Sequence, residues 1–184
     1  MNKIVSVKDL PVIRKRFKNK IVVLGTGCFD IIHEGHLYFL EAASKQGDIL
    51  IIGINSDKSI KVMKGQDRPI FNENQRSQLI AAFGCVNYVF VYDDVTAKDY
   101  ILSLRPDVFV IGEESVNIYP DEQEAAKQIG ARVYVVTRKP FLSTTSIIAK
   151  IKNTTTGFST NGRYMPKNPN AKPLLKVLEN QKKR

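Results

Sequence analysis

His33 and His36 are the chain's two histidines, and they stand three residues apart in Gly27-Cys28-Phe29-Asp30-Ile31-Ile32-His33-Glu34-Gly35-His36, directly behind the apolar run Ile21-Val22-Val23-Leu24. The run reads as a buried strand, the glycines permit a tight turn, and Leu37-Tyr38-Phe39-Leu40 begins a helix. Both imidazoles therefore fall at a strand-to-helix junction. Backbone N–H groups left free there and the positive end of the helix dipole favour an anion, and imidazole adds donors aimed at its oxygens. Phosphate chemistry is the first expectation. An HxxH pair can also hold zinc, but no third ligand of His or Cys type stands at usable spacing and no dedicated metal site is expected.

The elements that must position this pair follow from the alternation of the chain. Strands are expected at Ile49–Asn55, Tyr88–Tyr92, Val108–Ile111 and Arg132–Val136. Helices are expected near Asn74–Phe83, Thr96–Leu104 and Asp121–Ile129, with a last one beginning near Ser143, while Lys61 and Lys64 read as part of a basic loop. Apolar runs of strand length separated by helical segments indicate βα units, hence an α/β doubly wound parallel sheet with helices on both faces. In such sheets ligands bind beyond the carboxyl ends of the strands at the switch point, where the His33–His36 loop falls. No internal repeat is visible.

The formal charge is +10, of which residues 153–184 supply +6 and the body +4. A nucleic-acid-binding module would account for that charge and for the sequence pI of about 9.6, but not for the histidines, and no nucleic acid partner is expected. The segment 153–184, with Pro166, Pro169 and Pro173, reads as an irregular basic C-terminal extension to a domain spanning 1–152. No run approaches the roughly 20 apolar residues of a membrane span, and the start lacks the apolar core of a secretory signal. Cys28 and Cys85, without CxxC spacing, suit free buried thiols in a reducing compartment, so a cytoplasmic location is expected.

Gly27-Cys28-Phe29-Asp30 with His33-Glu34-Gly35-His36 resembles the GxFDxxHxGH signature of the cytidylyltransferase-like nucleotidyltransferases, which share HxGH with class I aminoacyl-tRNA synthetases. Further elements come in the family's order: Asn55-Ser56-Asp57, Lys61 and Lys64, Arg68-Pro69, Gln75-Arg76, then Arg138 with Leu142-Ser143-Thr144-Thr145, which is similar to the family's RTEGISTT element. A synthetase is disfavoured because no convincing KMSKS element follows. The central stretch looks most like the adenylyltransferase domains acting on heptose 1-phosphate. Val108-Phe109-Val110-Ile111-Gly112-Glu113-Glu114 looks closer to the glycerol-3-phosphate cytidylyltransferases, and Ile111 stands where the heptose family keeps lysine.

The resemblance implies a Rossmann-like fold and transfer of a nucleoside monophosphate from ATP or CTP to a small phosphorylated acceptor, with Mg²⁺ accompanying the triphosphate and a homodimer as the common assembly. It assigns His33 and His36 to the triphosphate and places Lys61 and Lys64 over the reacting phosphates, all four as catalytic residues. Gly27, Cys28, Phe29, Asp30, Gly35, Arg76, Gly112, Glu113, Arg138, Ser143, Thr144 and Thr145 are its nucleotide-binding candidates. Asp30, Lys61 and Arg68 are its acceptor-binding candidates, and Asp30 has the further reading of ordering the histidine loop or assisting the metal.

Overall fold

Strands β1 (Val22–Gly27), β2 (Ile49–Asn55), β3 (Tyr88–Tyr92), β4 (Val108–Gly112) and β5 (Arg132–Val136) form one parallel sheet in the order β3-β2-β1-β4-β5. The computed structural model describes residues 2–137 and 143–154. Its helices are α1 (Leu10–Arg16), α2 (Glu34–Ser44), α3 (Asp57–Lys64), α4 (Glu73–Ala82), α5 (Lys98–Leu104), α6 (Pro120–Gln128) and α7 (Thr144–Thr154).

Alternate strand residues point to opposite faces. Val22, Leu24, Ile51, Phe90, Phe109 and Ile111 pack with Leu10 and Ile13 of α1, Ile101 and Leu104 of α5, and Ala125 and Ala126 of α6. Val23, Leu50, Ile52, Val89 and Val110 pack with Leu40 and Ala43 of α2 and Ile80 of α4. Helices thus cover both faces, as continuous apolar strands require, and the expected doubly wound fold is present. Gly25 permits the close seating of α2 on β1, since a Cβ there would lie 3.0 Å from Cε1 of Phe39.

β1 lies between β2 and β4, so the chain winds away from it in both directions. Gly27 and Gly112 end these neighbouring strands, and the crevice beyond them is the switch point. At the far edge, residues 3–5 run beside β3: Val89 N–H donates to Lys3 O and Val5 N–H to Val89 O, both at 2.9 Å.

The structure departs from the expected elements in three places. Lys61 and Lys64 lie not in a loop but in the last turn of α3, which Ser56 caps by accepting from Ser59 N–H and which buries Ile60 completely. α2 begins at Glu34, three residues before the expected start, because His33 itself supplies the cap. α1 had no expected counterpart; Pro11 opens it and Arg14, Lys15 and Arg16 close it. Cys28 and Cys85 are free thiols but only half-buried.

The chain divides into two compact units, Met1–Thr144 and Thr145–Arg184, at the start of α7, where the sequence suggested a boundary at 152/153. Most of the basic extension, 155–184, lies outside the described residues. Among the described residues no helix is long and apolar enough to cross a membrane.

Candidate active site

The turn after β1 is held in an unusual backbone state. Phe29 adopts φ +48°, a left-handed conformation that costs a bulky residue, while its ring is buried (2 % exposed) 5.3 Å from His36 and 6.1 Å from Phe39. That twist turns the chain from β1 into α2. His33 then caps α2, accepting from Gly35 N–H on Nδ1 at 3.1 Å. A neutral imidazole that accepts on Nδ1 carries its proton on Nε2, which leaves a donor for a ligand.

The two imidazoles stack, with centroids 3.9 Å apart and planes inclined by 28°. Burial lowers the pKa of both. His36 falls to about 3, chiefly through burial, then through the neighbouring His33 and the positive charge of Lys64, with Asp30 opposing. The pair is therefore neutral near pH 7. Nδ1 of His36 is the one buried side-chain nitrogen or oxygen among the described residues that has no hydrogen-bond partner. Such a group is costly to leave unsatisfied, and a bound anion or water would relieve it.

Asp30 is 1 % exposed and its carboxylate is fully engaged by the protein. Arg68 donates from Nε at 2.7 Å and forms an ion pair at 2.7 Å through a terminal nitrogen, while Ile70 N–H (2.9 Å) and Phe71 N–H (3.0 Å) donate to Oδ1. Burial pushes the Asp30 pKa up, but the Phe71, Ile70 and Arg68 bonds outweigh it and hold the carboxyl below its usual range. Arg76, expected on the nucleotide, is completely buried. It donates to Phe71 O (2.9 Å), Cys28 O (2.6 Å) and Asp57 Oδ1 (2.8 Å), so the structure directs its guanidinium to the protein's own frame instead.

Lys61 and Lys64 are exposed, and Lys64 is near enough to depress His36. Cys28 follows β1 directly, with its thiol 3.7 Å from Asn55 Oδ1. Gly112 ends β4, and Glu113 opens a short 3-10 turn there. Ser143 directly precedes α7, and Thr144 contacts Ile31 O at 3.5 Å. Thr145 belongs to the second unit, and Arg138 lies outside the described residues.

The structure thus gathers Cys28, Phe29, Asp30, His33, Gly35, His36, Lys64 and Arg68 around one turn. Asp57 and Asn55 join them without an expected role. Asn55, 4 % exposed, donates to Ser59 Oγ at 3.2 Å, and Asp57 N–H donates to Glu73 Oε2 at 2.9 Å. Their signal in the sequence was the Asn55-Ser56-Asp57 element at the end of β2, which carried no role for either side chain. Among the described residues no cluster of three or more His, Cys, Asp or Glu could hold a metal.

A switch-point crevice walled by a strained turn, a neutral imidazole pair on a helix N-terminus and the nearby Lys64 defines a nucleotidyltransferase-type domain. Residues 24–160 match the family model described as cytidylyltransferase-like, and the chain belongs to that family. It is 40% identical over 151 residues to the bifunctional protein HldE of Campylobacter jejuni serotype O:2, an alignment covering 82% of this chain and 32% of that protein. HldE of Syntrophotalea carbinolica is 37% identical over 146 residues, covering 79% of this chain and 30% of the relative. The chain thus spans about a third of the length of these relatives. Among solved structures it resembles a lipopolysaccharide core biosynthesis protein from Thermoplasma volcanium (TM-score 0.55, 28% identity, 65% of this chain and 97% of that one). Pantoate-beta-alanine ligase from Francisella tularensis shares the fold alone (TM-score 0.60, 17% identity, 85% of this chain and 75% of that one).

Proposed function

We propose that this chain transfers a nucleoside monophosphate from ATP or CTP to a sugar 1-phosphate of the heptose 1-phosphate type, for surface glycan synthesis. The observation that carries the reading is the stacked imidazole pair on the α2 N-terminus, with His36 Nδ1 unsatisfied and Lys64 close by. The HldE relatives favour adenylyl transfer to a heptose phosphate. The alternative, cytidylyl transfer to glycerol 3-phosphate or a similar polyol phosphate, is favoured by the β4 end, where Ile111 is 3 % exposed within the apolar core rather than presenting a charge.

In the reaction an acceptor phosphate oxygen attacks the α-phosphorus in line. The new P–O bond forms as the bond to the bridging oxygen breaks, and pyrophosphate carries away the electron pair. Negative charge grows on the nonbridging and leaving oxygens, and fixed donors in a water-poor site are the main means of stabilising it. His33 Nε2–H and His36 serve the α-phosphate and the leaving group, while Lys61 and Lys64 offset the repulsion between the two anions. Ser143, Thr144 and Thr145, with Arg138, are proposed for the β- and γ-phosphates, and Gly112 and Glu113 for the nucleoside. Mg²⁺ would ride on the triphosphate oxygens and waters, because the carboxylate within the turn, Asp30, is already engaged. A cytoplasmic homodimer completes the proposal.

The test is a matrix of ATP and CTP against heptose 1-phosphate, other sugar 1-phosphates, glycerol 3-phosphate and phosphoethanolamine, read by pyrophosphate release. Release from one triphosphate only when one phosphorylated acceptor is present supports the reading; no release from any pair removes it.

A further inference from the structure

α3 carries Lys61 and Lys64 yet is tied at both ends to the turn that carries His33 and His36. At its start, Asp57 pairs with the fully buried Arg76 at 2.8 Å, and Arg76 also donates to Cys28 O in that turn. Beyond its end, Gly65 (φ +92°) releases the chain into Arg68–Phe71, which Asp30 seizes through one guanidinium and two backbone N–H groups. Arg76 meets the same segment from the other side at Phe71 O. Two ion pairs, each with one partner all but removed from water, therefore fix how far the lysines stand from the imidazoles.

We infer that Asp30 and Arg68 are positioning residues, a clasp that sets the lysine-bearing helix against the histidine turn. The carboxylate neither binds acceptor nor holds metal. It accepts from Arg68, Ile70 and Phe71 with 1 % of its surface exposed, which leaves an incoming phosphate or a hydrated cation no access to it. A buried clasp suits the task because it orders a segment that has no regular secondary structure between Gly65 and α4, and does so without spending a side chain in the crevice. This inference rests on the transferase reading.

The experiment compares wild type with Asp30→Asn, Arg68→Ala and Arg68→Lys, alone and in a Lys64→Ala background. Pyrophosphate release gives kcat and both KM values, and amide hydrogen exchange follows residues 68–71. The clasp predicts that Asp30→Asn and Arg68→Ala each lower kcat about 10- to 100-fold, the scale of a misplaced supporting group, with both KM values within about threefold of wild type. It predicts that most of this loss disappears in the Lys64→Ala background, that the Mg²⁺ requirement is unchanged, and that Ile70 and Phe71 exchange faster. Arg68→Lys, which keeps charge but not the fork, should recover part of kcat. A raised acceptor KM at unchanged kcat, a shifted Mg²⁺ requirement, losses that multiply with Lys64→Ala, or unaltered exchange at Ile70 and Phe71 would each overturn it. If Asp30→Asn does not fold, the Arg68 pair reads the same link from the other side. If wild type releases no pyrophosphate from any mixture, the functional proposal fails, while the exchange result still decides the clasp.

Discussion

At the scale of single residues, the decisive property is neutrality held by burial. His36 has a folded pKa of about 3 against 6.5 for a free imidazole, so folding removes its proton between those two pH values and the group is neutral in both states above them. Stability from this group is present above pH 6.5 and is lost as pH falls towards 3, because the unfolded chain takes up the proton first. A polyphosphate beside the ring reverses the balance, and its binding should draw protons from solution at pH 5. Calorimetry in two buffers of different protonation heat checks this; equal heats in both would count against contact with His36. His36→Ala should lower turnover about 10²- to 10³-fold while thermal unfolding moves little. Glu122 shows the opposite sign. Burial raises its pKa from 4.5 to about 7 although it accepts from Ala97 N–H at 2.7 Å, so stability is fullest below pH 4.5 and falls as pH rises through 7. Glu122→Gln should flatten that slope and recover on the order of 1–3 kcal/mol at pH 8 in urea unfolding.

At the scale of elements, α3 explains why part of the site was hidden in the sequence. Its eight residues hold three lysines and a Val62 that is 72 % exposed, so the apolar stripe that marks a helix shrinks to Ile60 and a half-buried Met63. Short charged sequence without a stripe reads as loop, and only the Ser56 cap argued otherwise. The histidine turn was legible because its residues are contiguous and its types scarce. The bonds of Asp30 to Arg68 and of Arg76 to Cys28 were not, since they join positions 38 and 48 apart and depend on how βα units pack. Arg76 holds the start of α3, the 68–71 segment and the histidine turn together. Its removal leaves Asp57 unpaired and two carbonyls without a donor, so Arg76→Ala should cost about 3–5 kcal/mol, or abolish folding, by urea titration. Arg76→Lys should rescue little, because one ammonium cannot reach three diverging acceptors.

At the scale of the whole molecule, the alternation of apolar runs with helical segments was enough to specify a parallel sheet with two covered faces, and β2, β3 and β5 begin and end where their β-branched and aromatic runs do. Strand order was not readable from spacing, because β1 and β4 pair as neighbours, Val23 with Val108 and Leu24 with Phe109, although β2 and β3 lie between them in the sequence. One edge of this sheet has a further consequence. Residues 3–5 satisfy both bonding groups of Val89 on the outer side of β3, with Lys3 Nζ anchored on Phe83 O at 3.0 Å. Stripping residues 1–6 would uncover a β-branched, aromatic ladder able to recruit another copy, strand against strand. Such a truncated chain should form species larger than those of the intact chain as concentration rises in light scattering, and a tag joined close to Lys3 should be chosen with that in mind.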